Sequence, residues 1–146
     1  VATLVDGGDR YPAHLLKTVK SYDNTQVVYA YEPEPVSSIE ISGSTLEAVK
    51  KGMGMVVTEG TVRSIFSSCV VSAGAKTGSA QTSNETDNGV FVCFAPFDDP
   101  QIAVAVTVER GGTGTAMANV AVDIINAYFS QSAGSNAVVG EGTLLQ

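Results

Sequence analysis

Three apolar stretches in the middle of the chain, Cys69 to Gln81, Val90 to Ala95 and Ile102 to Val108, constrain the fold more than any other feature. In the last, Ile102, Val104, Val106 and Val108 alternate with Ala103, Ala105 and Thr107, the period-two pattern of a half-buried strand. The connections between the stretches are shorter than the dozen or so residues a parallel crossover needs, so the three strands are expected to run as an antiparallel meander. The polar run Ser83 to Gly89 suits the first turn, and Asp98-Asp99-Pro100 the second.

Helical patterns flank this meander. Ser44-Thr45-Leu46-Glu47 matches a capping box, and Leu46, Val49, Met53 and Val56 follow at spacings that place one apolar stripe along a helix. Gly60-Thr61 interrupts the stripe, with Thr61 suited to cap a short second helix through Ile65 and Phe66. A last helix is expected from Thr115 to Phe129, with Met117, Val120, Ile124 and Tyr128 on its apolar face. The fold class is therefore α/β in the α+β sense, an antiparallel sheet flanked by helices near 45 to 57 and 115 to 129.

The ends are less regular. Val1 to Val5 reads as the last turn of a helix closed by glycine at Asp6-Gly7-Gly8, and with no initiator Met the chain is expected to be a piece of a longer one. Leu15 to Tyr22 and Gln26 to Tyr31 suit a hairpin around Asp23-Asn24, ended by Glu32-Pro33-Glu34-Pro35, whose two prolines cannot donate to a ladder. Residues 1 to 129 are read as one structural unit, and the Ser-, Gly- and Ala-rich stretch from Ser130 to Gln146 as a flexible tail.

Several function classes fall away on composition. With 146 residues and 44% apolar content the chain suits one folded domain. Eight basic residues against fifteen acidic ones give a net charge of −7, which disfavours binding to a nucleic-acid backbone. No apolar run approaches the roughly 20 residues of a membrane span. Cys69, Cys93 and the single His14 cannot supply a metal cluster of ordinary spacing, so no metal or other cofactor is expected. The two cysteines could pair, but their apolar surroundings fit buried free thiols better.

One motif carries chemistry. Lys76-Thr77-Gly78-Ser79 lies on the first strand of the meander. A strand with a cation, alternating hydroxyls and a glycine that admits a ligand to the backbone can form one wall of an anion site. The Lys-Thr-Gly triplet is also one of the signatures of the penicillin-binding proteins and β-lactamases.

From Val1 to Phe129 the chain resembles the C-terminal part of the transpeptidase domain of class B penicillin-binding proteins. The matching segments are Ala2 to Gly8, Pro12 to Lys17, Gly52-Met53 through Val56-Val57 to Gly60-Thr61, Ala75 to Gln81, Phe94-Ala95-Pro96, the strand to Val108-Glu109, and the last helix. Ser79 stands where the family more often has threonine. No serine has a lysine three positions later or an asparagine two positions later, so the nucleophile and its partner motif are absent from these residues.

The resemblance implies a peptidoglycan D,D-transpeptidase that cross-links stem peptides through an acyl-serine and is acylated by β-lactam antibiotics. Lys76 would draw in the terminal carboxylate and the Thr77 and Ser79 hydroxyls would contact it. Gly78 would admit the ligand, and the Ser79 amide would give half of an oxyanion hole. The nucleophile would come from the missing N-terminal part of the same domain, and the parent protein would be anchored at the outer face of the bacterial cytoplasmic membrane. In the family an N-terminal strand pairs beside the Ile102 to Val108 strand. Without it that edge would be free to pair with a second copy, as a homodimer.

Plainer readings stand beside these. Lys76 could be an ordinary edge-strand lysine, His14 a packing or surface residue, Met53 and Met55 core filler, and Glu109-Arg110 a solvated strand end. Asp98 and Asp99 belong to a turn and are given no acid–base role. A β-lactam-sensing receptor domain, a β-lactamase and a non-catalytic interaction module are the alternative functions.

Overall fold

The meander expected from three strands with short connections forms. In a computed structural model, which describes residues 1–81 and 86–133, strands β5 (Gly74–Ala80), β6 (Asn88–Ala95) and β7 (Ile102–Val108) make a three-stranded antiparallel sheet in the order β5-β6-β7. Its register sets Lys76 beside Val92, Thr77 beside Phe91, Gly78 beside Val90 and Ser79 beside Gly89. On one face Ala75, Phe91, Cys93 and Val104 join a core with Val62, Phe66, Ala118, Ala121, Val122 and Ile125. Phe94 points to the opposite face by the same alternation, and its ring stacks on Phe97, with Lys50 of helix α2 (Gly43–Thr58) lying over both rings.

Four boundaries differ from the sequence reading. Helix α2 is capped by Ser42, not Ser44: the Ser42 hydroxyl accepts the Thr45 amide at 3.3 Å, so the helix begins before the expected capping box. The short helix α3 (Arg63–Phe66) has Val62 at its N-cap and no side-chain cap, so Thr61 does not fill that role. Strand β5 starts at Gly74 rather than Cys69, because the chain before it is held to the last helix: Asn126 accepts the Val70 amide at 2.9 Å and donates to the Ser68 carbonyl at 3.0 Å. That helix, α4 (Ala118–Ala133), follows a separate 3-10 turn over Gly114–Met117 and extends past Phe129. The rest of the expected tail lies outside the described residues, as does part of the Ser83 to Gly89 turn.

The buried face of α4 also differs. Ala118, Ala121, Val122 and Ile125 face the sheet, whereas Val120, Ile124 and Tyr128 remain 47%, 40% and 41% exposed. Alanines let the helix approach closely, and the tighter 3-10 turn takes Met117 out of phase with the residues that follow. A similar shift affects α2, where Met53 is buried but Val49 is exposed.

The N-terminal region is built from short pieces. Helix α1 (Ala2–Val5) ends as expected, with Gly7 at φ +71° just beyond its C-cap. Strands β2 (Thr18–Lys20) and β3 (Val27–Ala30) form the expected hairpin, though shorter, with a register shift between Val19 and Lys20. A second ribbon, β1 (Asp9–Arg10) with β4 (Ser37–Ser38), has no forerunner in the pattern.

Candidate functional site

Strand β5 is an edge strand among the described residues, so alternate backbone N–H and C=O groups on its outer side have no strand partner. Along that edge the first residues of the strand, Gly74 and Ala75, are buried and serve the fold, while Lys76 and Ser79 are exposed and Thr77 and Gly78 half-buried. The burial gradient turns the motif outward at the far end of the strand. Strand alternation puts Lys76 and Gly78 on one face and Thr77 and Ser79 on the other, so the four residues surround the edge rather than line one side of it. The Lys76 ammonium donates to the Thr77 carbonyl oxygen.

The two glycines of this strand have different reasons. A methyl group on Gly74 would lie 2.5 Å from the Phe94 ring, so that glycine is required by packing. A methyl group on Gly78 would meet only Val90, at 3.6 Å, which is ordinary contact. The fold does not demand glycine at position 78, and its bareness is left for whatever approaches the strand.

Behind the motif lies a part of the site that sequence reasoning missed. The chain leaves β7 through Arg110, at φ +54°, and Gly112, at φ +74°. It is tied to the start of β6 by the Arg110 amide donating to Asn88 Oδ1 and the Gly112 amide donating to the Asp87 carbonyl, both at 2.8 Å. The 3-10 turn that follows packs on β5 and β6 beneath Gly78 and Gly89. The Gly111-Gly112-Thr113-Gly114 cluster is the only signal in the sequence, and it does not say which strand the turn meets.

The other singled-out residues lie apart from the motif. His14 stacks on Tyr31 with ring centroids 3.6 Å apart, in the N-terminal region. Asp98 borders a mostly apolar cavity of about 380 Å³ that also adjoins Ala73, at the end of β5 away from Ser79. Both cysteines are free thiols; burial pushes the Cys93 thiol up to about 12, which leaves it protonated and inert at neutral pH. Among the described residues no cluster of three His, Cys, Asp or Glu side chains could hold a metal ion, and no helix is long and apolar enough to cross a membrane.

Comparison with known proteins extends this picture over the whole sheet unit and the N-terminal region. Residues 1–126 match the penicillin binding protein transpeptidase domain. The chain is 32% identical over 122 residues to penicillin-binding protein 2A of Bacillus subtilis, covering 74% of this chain and 17% of that protein. It is 31% identical over 138 residues to the peptidoglycan D,D-transpeptidase MrdA of Escherichia coli, covering 83% of this chain and 21% of that one. Among solved structures, penicillin-binding protein 2B of Streptococcus pneumoniae superposes with a TM-score of 0.75 at 25% identity, over 90% of this chain and 23% of that one. The chain thus spans about a fifth of the length of these relatives. With a family match over nearly its whole length and the same arrangement of helices and antiparallel sheet, this chain belongs to the penicillin-binding protein transpeptidase family.

Proposed function

We propose that this chain supplies the carboxylate-binding and oxyanion wall of a peptidoglycan D,D-transpeptidase site, with the acylated serine contributed by sequence outside these residues. The observation that carries the reading is the placement of Lys76, Thr77, Gly78 and Ser79 on the outward end of an edge strand, with Gly78 free of any packing demand. Relatives named as peptidoglycan D,D-transpeptidases support it.

In the reaction, the serine hydroxyl attacks the carbonyl carbon of the penultimate D-alanine of a stem peptide and passes its proton to a base. The terminal D-alanine leaves as the amine takes up a proton, and an amine of a second stem peptide then attacks the acyl-enzyme and regenerates the serine. Lys76 attracts the terminal carboxylate, and the hydroxyls of Thr77 and Ser79 donate to it. The Ser79 amide faces the developing oxyanion, where fixed dipoles outperform water because they need no reorganisation. β-Lactams enter the same site and leave the serine acylated.

The outer edge of β7, which has no strand partner among the described residues, supports a reading of the remaining partners. The outer edge of β7 pairs with a strand of the same parent polypeptide, which is held at the outer face of the cytoplasmic membrane by an upstream anchor. In isolation the chain uses this edge to form a homodimer, which light scattering would detect.

The test is labelling by a fluorescent penicillin of this chain alone and of the complete polypeptide that contains it. Only the longer form should be labelled, and Lys76→Ala in it should lower acylation efficiency by about 10- to 100-fold, the scale of one charge-assisted hydrogen bond of roughly 1.5–3 kcal/mol. Labelling of neither form would overturn the reading in favour of a non-catalytic interaction module.

A further inference from the structure

The geometry points to Gly114 as a positioning residue for the Ser79 amide, an assignment that rests on the transpeptidase reading above. Gly114 is buried at the start of the 3-10 turn that closes behind β5 and β6. A methyl group there would overlap the Val90 carbonyl oxygen and stand 2.5 Å from the Gly78 carbonyl oxygen and 2.8 Å from the Gly78 amide nitrogen. All three are backbone atoms of one strand pair, so no side chain could swing away to make room. The conformation of Gly114 does not itself demand glycine, because its φ lies outside the left-handed region that Gly7, Gly8 and Gly112 occupy. Its missing side chain is explained by close approach to Gly78 and Val90.

The consequence for the site comes from the planarity of the peptide bond. The Gly78 carbonyl and the Ser79 amide belong to one rigid trans unit, with the C=O and N–H directed oppositely. Any displacement of the Gly78 oxygen re-aims the Ser79 N–H with it. Next to this contact, Met117 supports the partner strand, its Cγ lying 3.4 Å from where a methyl group on Gly89 would stand, and Gly89 is the register partner of Ser79. The turn Gly114–Met117 is therefore a backstop that fixes where the oxyanion donor points. The Thr77 and Ser79 hydroxyls that meet the carboxylate can follow a small strand shift by rotating about their side-chain bonds. The amide has no such freedom.

This asymmetry gives a measurable split. In the complete polypeptide, Gly114→Ala should lower the acylation rate constant for a fluorescent penicillin by about 10- to 100-fold, below the 10²–10³-fold expected when an oxyanion donor is lost outright. The half-saturating concentration should stay within about threefold, since ground-state recognition rests on groups that can adjust. Gly7→Ala is the control: it strains a residue at φ +71° in the N-terminal region but meets nothing within 4 Å, so it should lower Tm while acylation stays within about twofold. Wild-type acylation by folded Gly114→Ala protein, or acylation that falls in both variants in proportion to Tm, would overturn the assignment. If Gly114→Ala cannot be purified folded, the volume-conserving Met117→Leu takes its place, with a several-fold slower acylation at unchanged Tm expected and an unchanged rate fatal to the assignment. An unlabelled wild-type polypeptide would instead sink the transpeptidase reading on which the assignment stands.

Discussion

The two ends of this molecule are held together by different means. From Gly43 to Ala133, three strands, three helices and a 3-10 turn share a core around Phe91, Cys93 and Ile125. From Val1 to Ser42 every strand residue is exposed or half-buried, and Leu15, Leu16, Val27, Val28, Val36 and Ile39 lie uncovered. The first region is stabilised by apolar burial. The second holds its shape by turns, two short ribbons and local hydrogen bonds, with its aliphatic residues left at the surface.

The largest test of this contrast is Phe91→Ala. Phe91 is fully buried at the centre of the sheet, beside Phe66 with ring centroids 6.0 Å apart, and its loss should destabilise the folded chain by about 3–5 kcal/mol in urea unfolding. Tyr22→Ala, at a fully exposed hairpin position, should change stability by no more than about 0.5 kcal/mol. Similar losses for both would mean that the N-terminal region shares the core's cooperativity, and the division drawn here would fail.

What was legible in the sequence does not follow the same division. Strand β7 was readable because alternation has a period that tolerates no slip, β6 because Val90 to Ala95 is an unbroken apolar run between turn signals, and Lys76 to Ser79 because the motif is contiguous. The buried face of α4 was not, since two apolar stripes compete on that helix and the choice is made by Ala118 and Ala121, whose small size matters only once a sheet is beneath them. Ribbon β1–β4 joins dipeptides too short to carry any period. Gly114 could not be placed either, because the reason for it is a backbone contact with a strand earlier in the chain, which no local pattern encodes.

A smaller effect is expected where the two regions meet. Ser42 ends the N-terminal region and caps α2, so Ser42→Ala should cost about 1 kcal/mol in thermal or urea unfolding. Ser44→Ala should be close to neutral, although Ser44 begins the capping-box pattern and its hydroxyl lies 3.3 Å from that of Ser42. If Ser44→Ala proved the more damaging of the two, the helix would begin where the sequence pattern puts it and not where the structure does.

The finest test separates the regions by pH. In the β2–β3 hairpin, Asp23 accepts hydrogen bonds from the Ser21 hydroxyl at 2.6 Å, the Thr25 hydroxyl at 2.9 Å and the Thr25 amide at 3.2 Å. These donors, Ser21 first and then Thr25, hold its carboxyl below the ordinary value of 3.8. A carboxyl with a lowered folded-state pKa binds fewer protons folded than unfolded. Its stabilising contribution is therefore complete above the ordinary value and is lost as pH falls from there through the lowered one. Acidification below about pH 3.8 should loosen the turn from Ser21 to Gln26, seen as movement of the Thr25 and Gln26 amide resonances, before resonances of Phe91 and Cys93 respond. Asp23→Asn keeps an oxygen acceptor but cannot titrate, so its Thr25 resonance should show no such step. A single acid transition shared by hairpin and core in the unmodified chain would instead show that the hairpin is bound to the core more tightly than its exposed residues indicate.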